Sequence, residues 1–321
     1  MFIAGSWIRL ATSFMEPIVT TTVVTAITST TATSGGNVTS DGGATVTARG
    51  VCWSTSANPT TASSTFTTDG TGGGTFTSTL TGLTANTTYF ARAYSTNSAG
   101  TGYGNEVSFT TLSPIIFNPN LTYGTMTDID GNVYKTITIG TQTWMAENLK
   151  TTKYRNGDLI PNVTDGTAWS ALATGAYCWY NNDVANKATY GGLYNWFAVA
   201  DTRNIAPTGW HVPTDAEWTT LTTFLGGESV AGGKLKEAGT SHWSSPNTGA
   251  TNSSGFTALP GGYRLYNGGS FYDVGTNGNW WSSTAYGASN AWNRALNYYF
   301  AYAYRYYNNK QYGFSVRCVR D

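Results

Sequence analysis

At 321 residues the chain is long enough for about two domains. Its 38 glycines and its 11% content of charged residues favour short strands and turns over long amphipathic helices. Its 17 basic and 17 acidic residues cancel to a formal net charge of zero and form no basic run, which argues against a nucleic-acid partner, and no window approaches the roughly 18 apolar residues of a spanning helix.

Residues 1–16 are apolar in flavour but lack the basic start and long apolar core of a signal peptide, and they stay unassigned. From 17 to 112, runs such as TTTVVTAITST and ATVTARGVCWST alternate with the turn signals SGG, SDGG, DGTGGG and NSAGTG. That alternation predicts a small all-β sandwich. The segment LTGLTANTTYFARAYSTNSAGTGYGNEVSFTT at 80–111 resembles a fibronectin type III module, with Leu83 and Tyr89 in the spacing of its tyrosine corner. The resemblance implies a fold and is nearly silent about function, since such modules serve most often as spacers. No helix pattern follows GTGYG at 100–104, so it is not read as a phosphate loop.

Residues 113–127 contain Pro114 and Pro119 without a clear period and read as a linker. A second domain, 128–321, opens with DIDGN. An EF-hand loop would require Glu where Ile139 stands, so a tight turn is the better account. Val133, Ile137 and Ile139 predict a strand that turns at 140–141 toward Trp144. The clearest helix start is HVPTDAEW at 211–218, where Thr214 and Glu217 are spaced for a capping box. Trp218, Leu221, Phe224 and Leu225 follow at helical spacing, which predicts a core-packed helix ended by Gly226 and Gly227. A shorter helix is expected over about 229–238.

Cys52, Cys178 and Cys318 form no CxxC and no metal-ligand spacing with the two histidines, His211 and His242. Cys178 and Cys318 lie in aromatic-rich framework segments and are expected to be close, with a disulfide between them open; Cys52 is expected to be a lone core thiol. His211 reads as a packed frame residue and His242 as a loop residue, so no catalytic residue, metal or cofactor is expected.

The stretch from Asn297 to Asn308, NYYFAYAYRYYN, is dominated by aromatics and contains no large aliphatic residue. A buried strand would mix shapes to fill space, whereas tyrosine among Asn, Ser and Gly suits a binding surface. An aromatic girdle that holds the fold together is the competing reading.

Five segments, YGGLYNW at 190–196, GWHVPTDAEW at 209–218, SGFTALPGGYR at 254–264, NWWSS at 279–283 and GFSVRCVR at 313–320, resemble the Fibrobacter succinogenes major paralogous domain. The resemblance covers roughly 128–321 and implies an α+β C-type-lectin-like fold related in shape to the formylglycine-generating enzyme domain. Many members carry a cysteine where Ala206 precedes Pro207 here. The cysteine pair of the enzyme relatives is missing, as are the EPN or QPD and WND signatures of calcium-dependent lectins, which WYNND at 179–183 only loosely echoes.

In several proteins of this type the segment before GFSVRC is the variable region of a diversity-generating retroelement. By that resemblance Tyr299, Phe300, Tyr302, Tyr304, Tyr306 and Tyr307 are diversified ligand-binding positions, joined by Tyr286, Asn290, Asn293 and Asn308. Trp280, Trp281, Gly313, Phe314 and Val316 are the fixed frame. The diversified set is expected to be exposed as one patch, and exposure on both faces of a strand is expected to need an irregular edge. The function expected is recognition of a protein or glycan on a cell surface by a phage tail or bacterial surface protein. A purely structural surface protein and an enzyme are the alternatives.

Overall fold

A computed structural model describes residues 13–321, so most of the unassigned segment 1–16 lies outside the described residues. The chain divides into two compact units, one up to Ser113 and one from Pro114. Among the described residues no helix is long and apolar enough to cross a membrane.

The first unit is all β: β1 (Ile18–Thr21), β2 (Ala32–Ser40), β3 (Ala48–Ser54), β4 (Thr65–Phe66), β5 (Gly74–Leu80), β6 (Thr88–Thr96), β7 (Thr101–Tyr103) and β8 (Val107–Thr110). One sheet runs β1-β2-β5 and the other β4-β3-β6-β7, with β8 also pairing β6. Val51, Trp53, Leu80, Ala91 and Phe109 from both sheets share one buried cluster with Leu83 of the loop between β5 and β6. Tyr89 makes the expected corner: its ring is buried against Phe109, and its hydroxyl accepts from the Thr84 amide at 3.0 Å. Cys52 is buried in β3, and burial pushes its thiol up to about 11.

The second unit holds strands β9 (Gly124–Thr127), β10 (Val133–Ile139), β11 (Gln142–Met145), β12 (Tyr177–Cys178), β13 (Leu193–Tyr194), β14 (Trp210–His211), β15 (Gly261–Arg264), β16 (Phe271–Val274), β17 (Asn277–Tyr286), β18 (Asn290–Asn297), β19 (Ala303–Asn309) and β20 (Val319–Arg320). Its helices are short: α1 (Gly166–Ser170), α2 (Asn186–Tyr190), α3 (Trp196–Val199), α4 (Asp215–Phe224) and α5 (Glu228–Leu235). Two five-stranded sheets, β14-β20-β11-β10-β9 and β16-β15-β17-β18-β19, carry its architecture.

Residues expected to form a linker at 113–127 are built into this unit instead. The Ile116 amide donates to Glu237, and Phe117, Leu121 and Tyr123 pack on the cluster around Trp144, Trp218 and Phe256. Residues 124–127 are β9 itself. In the DIDGN turn, Asp128 accepts from the Asp130 and Asn132 amides and the Tyr134 hydroxyl, so protein donors occupy its carboxylate.

Helix α4 begins on the full Thr214–Glu217 capping box. Trp218, Leu221 and Leu225 are buried, but Phe224 is exposed, contrary to expectation. Residue 224 sits about 120° around the helix from Trp218, beyond the edge of the stripe that 218, 221 and 225 define.

The recurring motif residues frame the core. Arg317 is fully buried and donates to Asn148, Phe256 and Thr257 oxygens; Arg264 is likewise buried on the carbonyls of Val163, Thr164 and Gly269. The indoles of Trp280 and Trp281 donate to Asn148 and to the Tyr194 carbonyl. Cys178 and Cys318 carry no disulfide: they are free, buried thiols in separate clusters, one around Trp169 and the other around Trp281. Burial pushes the Cys178 thiol up to about 12 and raises that of Cys318 further. His242 lies in a loop, as expected, and is buried there with Nδ1 at 2.7 Å from Glu237.

Candidate ligand-binding surface

The aromatic stretch forms the turn after β18 and the edge strand β19. That turn is pinned from beneath. The Lys236 ammonium, fully buried, donates to the carbonyls of Thr248, Asn297 and Phe300 at 3.0 Å each, and burial pulls its pKa down to about 8. The Gly233 amide donates to the Ala301 carbonyl at 3.0 Å. Helix α5 presents glycines here for space: a Cβ on Gly232 would lie 2.1 Å from the Tyr302 oxygen.

Strand β19 pairs with β18 in unbroken antiparallel register from Asn290↔Asn309 to Leu296↔Ala303. Its pleat divides the tyrosines between two faces. On one face Tyr302 and Tyr304 stack with centroids 5.3 Å apart, Tyr306 follows at 6.0 Å, and Phe300 lies 6.3 Å from both Tyr302 and Tyr304. On the other, Tyr307 stacks on Tyr286 at 3.9 Å, and Trp292 meets both edge-on. Tyr286, Tyr299, Phe300, Tyr302, Tyr306 and Tyr307 are all exposed, and Tyr304 is half-buried.

Two expectations need correction. The exposed set is not one patch but two, back to back across β19. The expected loop holds for Tyr299, Phe300 and Tyr302, which lie in the turn before β19, but the regular strand itself exposes Tyr306 on one face and Tyr307 on the other; the bulge in this sheet lies between β17 and β18. Asn293, expected in the patch, is 0% exposed. It sits in the closed row opposite Trp281, where its Oδ1 accepts from Asn308 Nδ2 at 2.9 Å. Asn290 and Asn308 are half-buried.

Sequence reading missed Arg305, Trp292 and the asparagines of β17. Arg305 lies 3.5 Å over the Trp292 ring and grips Asp215 at the start of α4, with Nη2 at 2.7 Å from Oδ2. Arg294, nearly fully buried, reaches the other oxygen at 2.7 Å. Burial would raise the Asp215 carboxyl, but hydrogen bonds from Arg305 and Arg294 hold it below the usual carboxylate range. The alternation Asn277–Gly278–Asn279–Trp280 was the available signal for the first face: its asparagines lie in register with Asn297 and Ala295, and Ala295 in turn with Tyr304. Among the described residues no group of His, Cys, Asp and Glu is arranged to hold a metal ion.

The sequence model of the Fibrobacter succinogenes major domain matches residues 137–320. No curated protein matches the chain. Among solved structures, the sensor domain of the anti-sigma factor RsgI4 of Pseudobacteroides cellulosolvens is 17% identical, covers 32% of this chain and 100% of its own, and gives a TM-score of 0.25. The fibronectin type III domain of the human KIAA0970 protein is 19% identical, covers 33% of this chain and 82% of its own, with a TM-score of 0.23. The third fibronectin type III domain of the human KIAA0343 protein is 19% identical, covers 38% of this chain and 100% of its own, and gives a TM-score of 0.24. Likeness at this level says nothing about what this chain does.

Proposed function

The chain belongs to the Fibrobacter succinogenes major domain family, and we propose that it is a ligand- or receptor-binding protein that meets its target through the aromatic edge of β19. We read the second unit as a C-type-lectin-like domain and the first as a fibronectin type III-like spacer. The observation that carries the reading is the exposure of six aromatic rings on one edge strand, its turn and the end of β17. Each half-exposed ring forgoes on the order of 1 kcal/mol of burial, so a cluster of them is kept where contact with another molecule repays it. Tyrosine supplies broad, stiff contact area at low rotamer cost, which fits recognition better than a girdle.

The frame fits diversification. Of the variable-type positions, Tyr304, Tyr306, Tyr307 and Asn308 sit on an edge strand whose pairing is backbone to backbone and Tyr299, Phe300 and Tyr302 on the turn before it, while Trp280, Trp281 and Arg317 hold the core beneath. Side chains can then change without changing the fold. The working place proposed is a phage tail or a bacterial surface, and the role is binding without catalysis. The flanking DNA tests the diversification: a reverse transcriptase gene beside a near-copy of the 280–318 coding region is the expected finding, and its absence from the complete locus would remove diversification. Binding itself is tested by adsorption of the purified chain to bacterial cells, with saturable uptake expected.

A further inference from the structure

Strand β19 is the last of its five-stranded sheet, and among the described residues no strand pairs with its outer side. In an antiparallel ladder the backbone groups of successive residues point alternately to the two sides of the strand. The Lys310 amide donates to the Ser289 carbonyl at 2.9 Å, in line with the register Asn290↔Asn309. The backbone of Tyr304, Tyr306 and Asn308 therefore turns toward β18, and that of Arg305 and Tyr307 turns outward. Among the described residues neither the N–H nor the C=O of Arg305 or Tyr307 has a hydrogen-bond partner on that side. Helix α5 lies against the chain at Ala301 and Tyr302, before the strand begins. Beyond that point AYRYYNN has few of the devices that guard an edge: no proline, no break in its register, and one charged residue, Arg305.

The rings lie on both faces of this edge, Tyr302, Tyr304 and Tyr306 on one and Tyr286, Trp292 and Tyr307 on the other. A ligand resting on one face leaves the other unused. A chain laid along the edge reaches both, because its own side chains alternate. Arg305 adds a charge requirement. Its Nε and Nη2 are held by Asp215, whereas Nη1 has no hydrogen-bond partner among the described residues, and the side chain is 39% exposed. Arg294 pairs with the same carboxylate, so two arginines against one aspartate leave one positive charge unanswered.

We infer that β19 takes an extended polypeptide segment of the target as a sixth strand of its sheet, paired with the outward backbone groups of Arg305 and Tyr307 and carrying an Asp or Glu side chain beside Arg305. The inference rests on the binding reading above and narrows it from protein or glycan to protein. Strand addition draws affinity from main-chain hydrogen bonds and selectivity from side chains on either face, so the tyrosines can vary while the mode of binding stays the same. A second copy of this chain fits less well, because AYRYYNN contains no carboxylate and two such strands leave each Arg305 unanswered.

The test is titration of the full chain with a panel of acetylated, amidated octapeptides of alternating β-branched and aromatic residues. Each is made with a central Glu, with Gln in its place, and with N-methyl groups on either alternate set of amides. Saturable binding by at least one Glu peptide below millimolar concentration is expected, with the Arg305 and Tyr307 amides gaining protection from hydrogen exchange. N-methylation of one alternate set should weaken binding at least about tenfold and that of the other set far less. Gln for Glu should weaken it about two- to fivefold, and Arg305→Gln should erase that preference. Absence of binding across the panel, binding indifferent to which set is methylated, or protection of the two amides that rises with protein concentration alone, as a second copy on the edge produces, would overturn the inference. If no peptide bound but cell adsorption still depended on the tyrosines, the added strand would fall and the binding reading would stand.

Discussion

Asp215 shows how a single carboxylate ties the aromatic strand to the frame, because it answers two arginines of unequal burial. The Arg294 side chain is 2% exposed and that of Arg305 39%. Removing the charge with Asp215→Asn strands a buried guanidinium, and a loss of about 3–5 kcal/mol is expected in chemical denaturation. Arg305→Ala breaks only the half-exposed pair, which is worth about 0–1 kcal/mol. Equal losses would contradict this division. His211 gives a pH signature: burial opposes its protonation, but the Asp321 and Glu217 carboxylates, each 2.7 Å from a ring nitrogen, raise its pKa overall. A raised folded pKa means that the stabilisation is complete below the ordinary histidine value and is lost as pH rises through the folded one. The melting advantage of the parent chain over His211→Gln should therefore shrink from mildly acidic to alkaline pH; an advantage that grows instead would count against it.

At the scale of elements, alternation placed Tyr302, Tyr304 and Tyr306 on one face, and the capping box placed the start of α4, because both signals are local. What local signals do not carry is the position of a strand within its sheet. Asn293 has the composition of a surface residue but stands opposite Trp281, where the sheet is closed, and β19 starts at the buried Ala303 yet exposes Tyr306 and Tyr307 on its two faces further along. The same blindness applies to the cysteines, since residue type says nothing about which cluster each enters. The contact of α5 with the turn is an element-scale device that depends on the missing Cβ of Gly232. Gly232→Ala would press a methyl into the Tyr302 carbonyl and should cost about 1–3 kcal/mol by thermal melting, with the turn at 298–302 losing protection from hydrogen exchange. An unshifted melting curve would show that helix and strand can separate freely.

For the molecule as a whole, two units were legible in the change of charge density and in the proline-bearing segment, but the border was not. Phe117, Leu121 and Tyr123 look like linker residues only until the apolar cluster of the second unit is seen to receive them. A fragment beginning at Pro114 should melt like the second unit of the intact chain, whereas one beginning at Asp128 lacks β9 and those rings and should melt several degrees lower. Equal melting of the two fragments would return 114–127 to the status of a linker. The family frame was legible because its Trp, Arg and Gly motifs do packing work that few other residues can do. The central claim is that the rings of β19 serve contact and not the core, and it is tested most directly by replacing Tyr302, Tyr304 and Tyr306 together with Ser and measuring melting and cell adsorption on the same preparation. The account predicts a melting temperature close to that of the parent chain with adsorption lost or redirected; a collapse of melting, or unchanged adsorption, would contradict it.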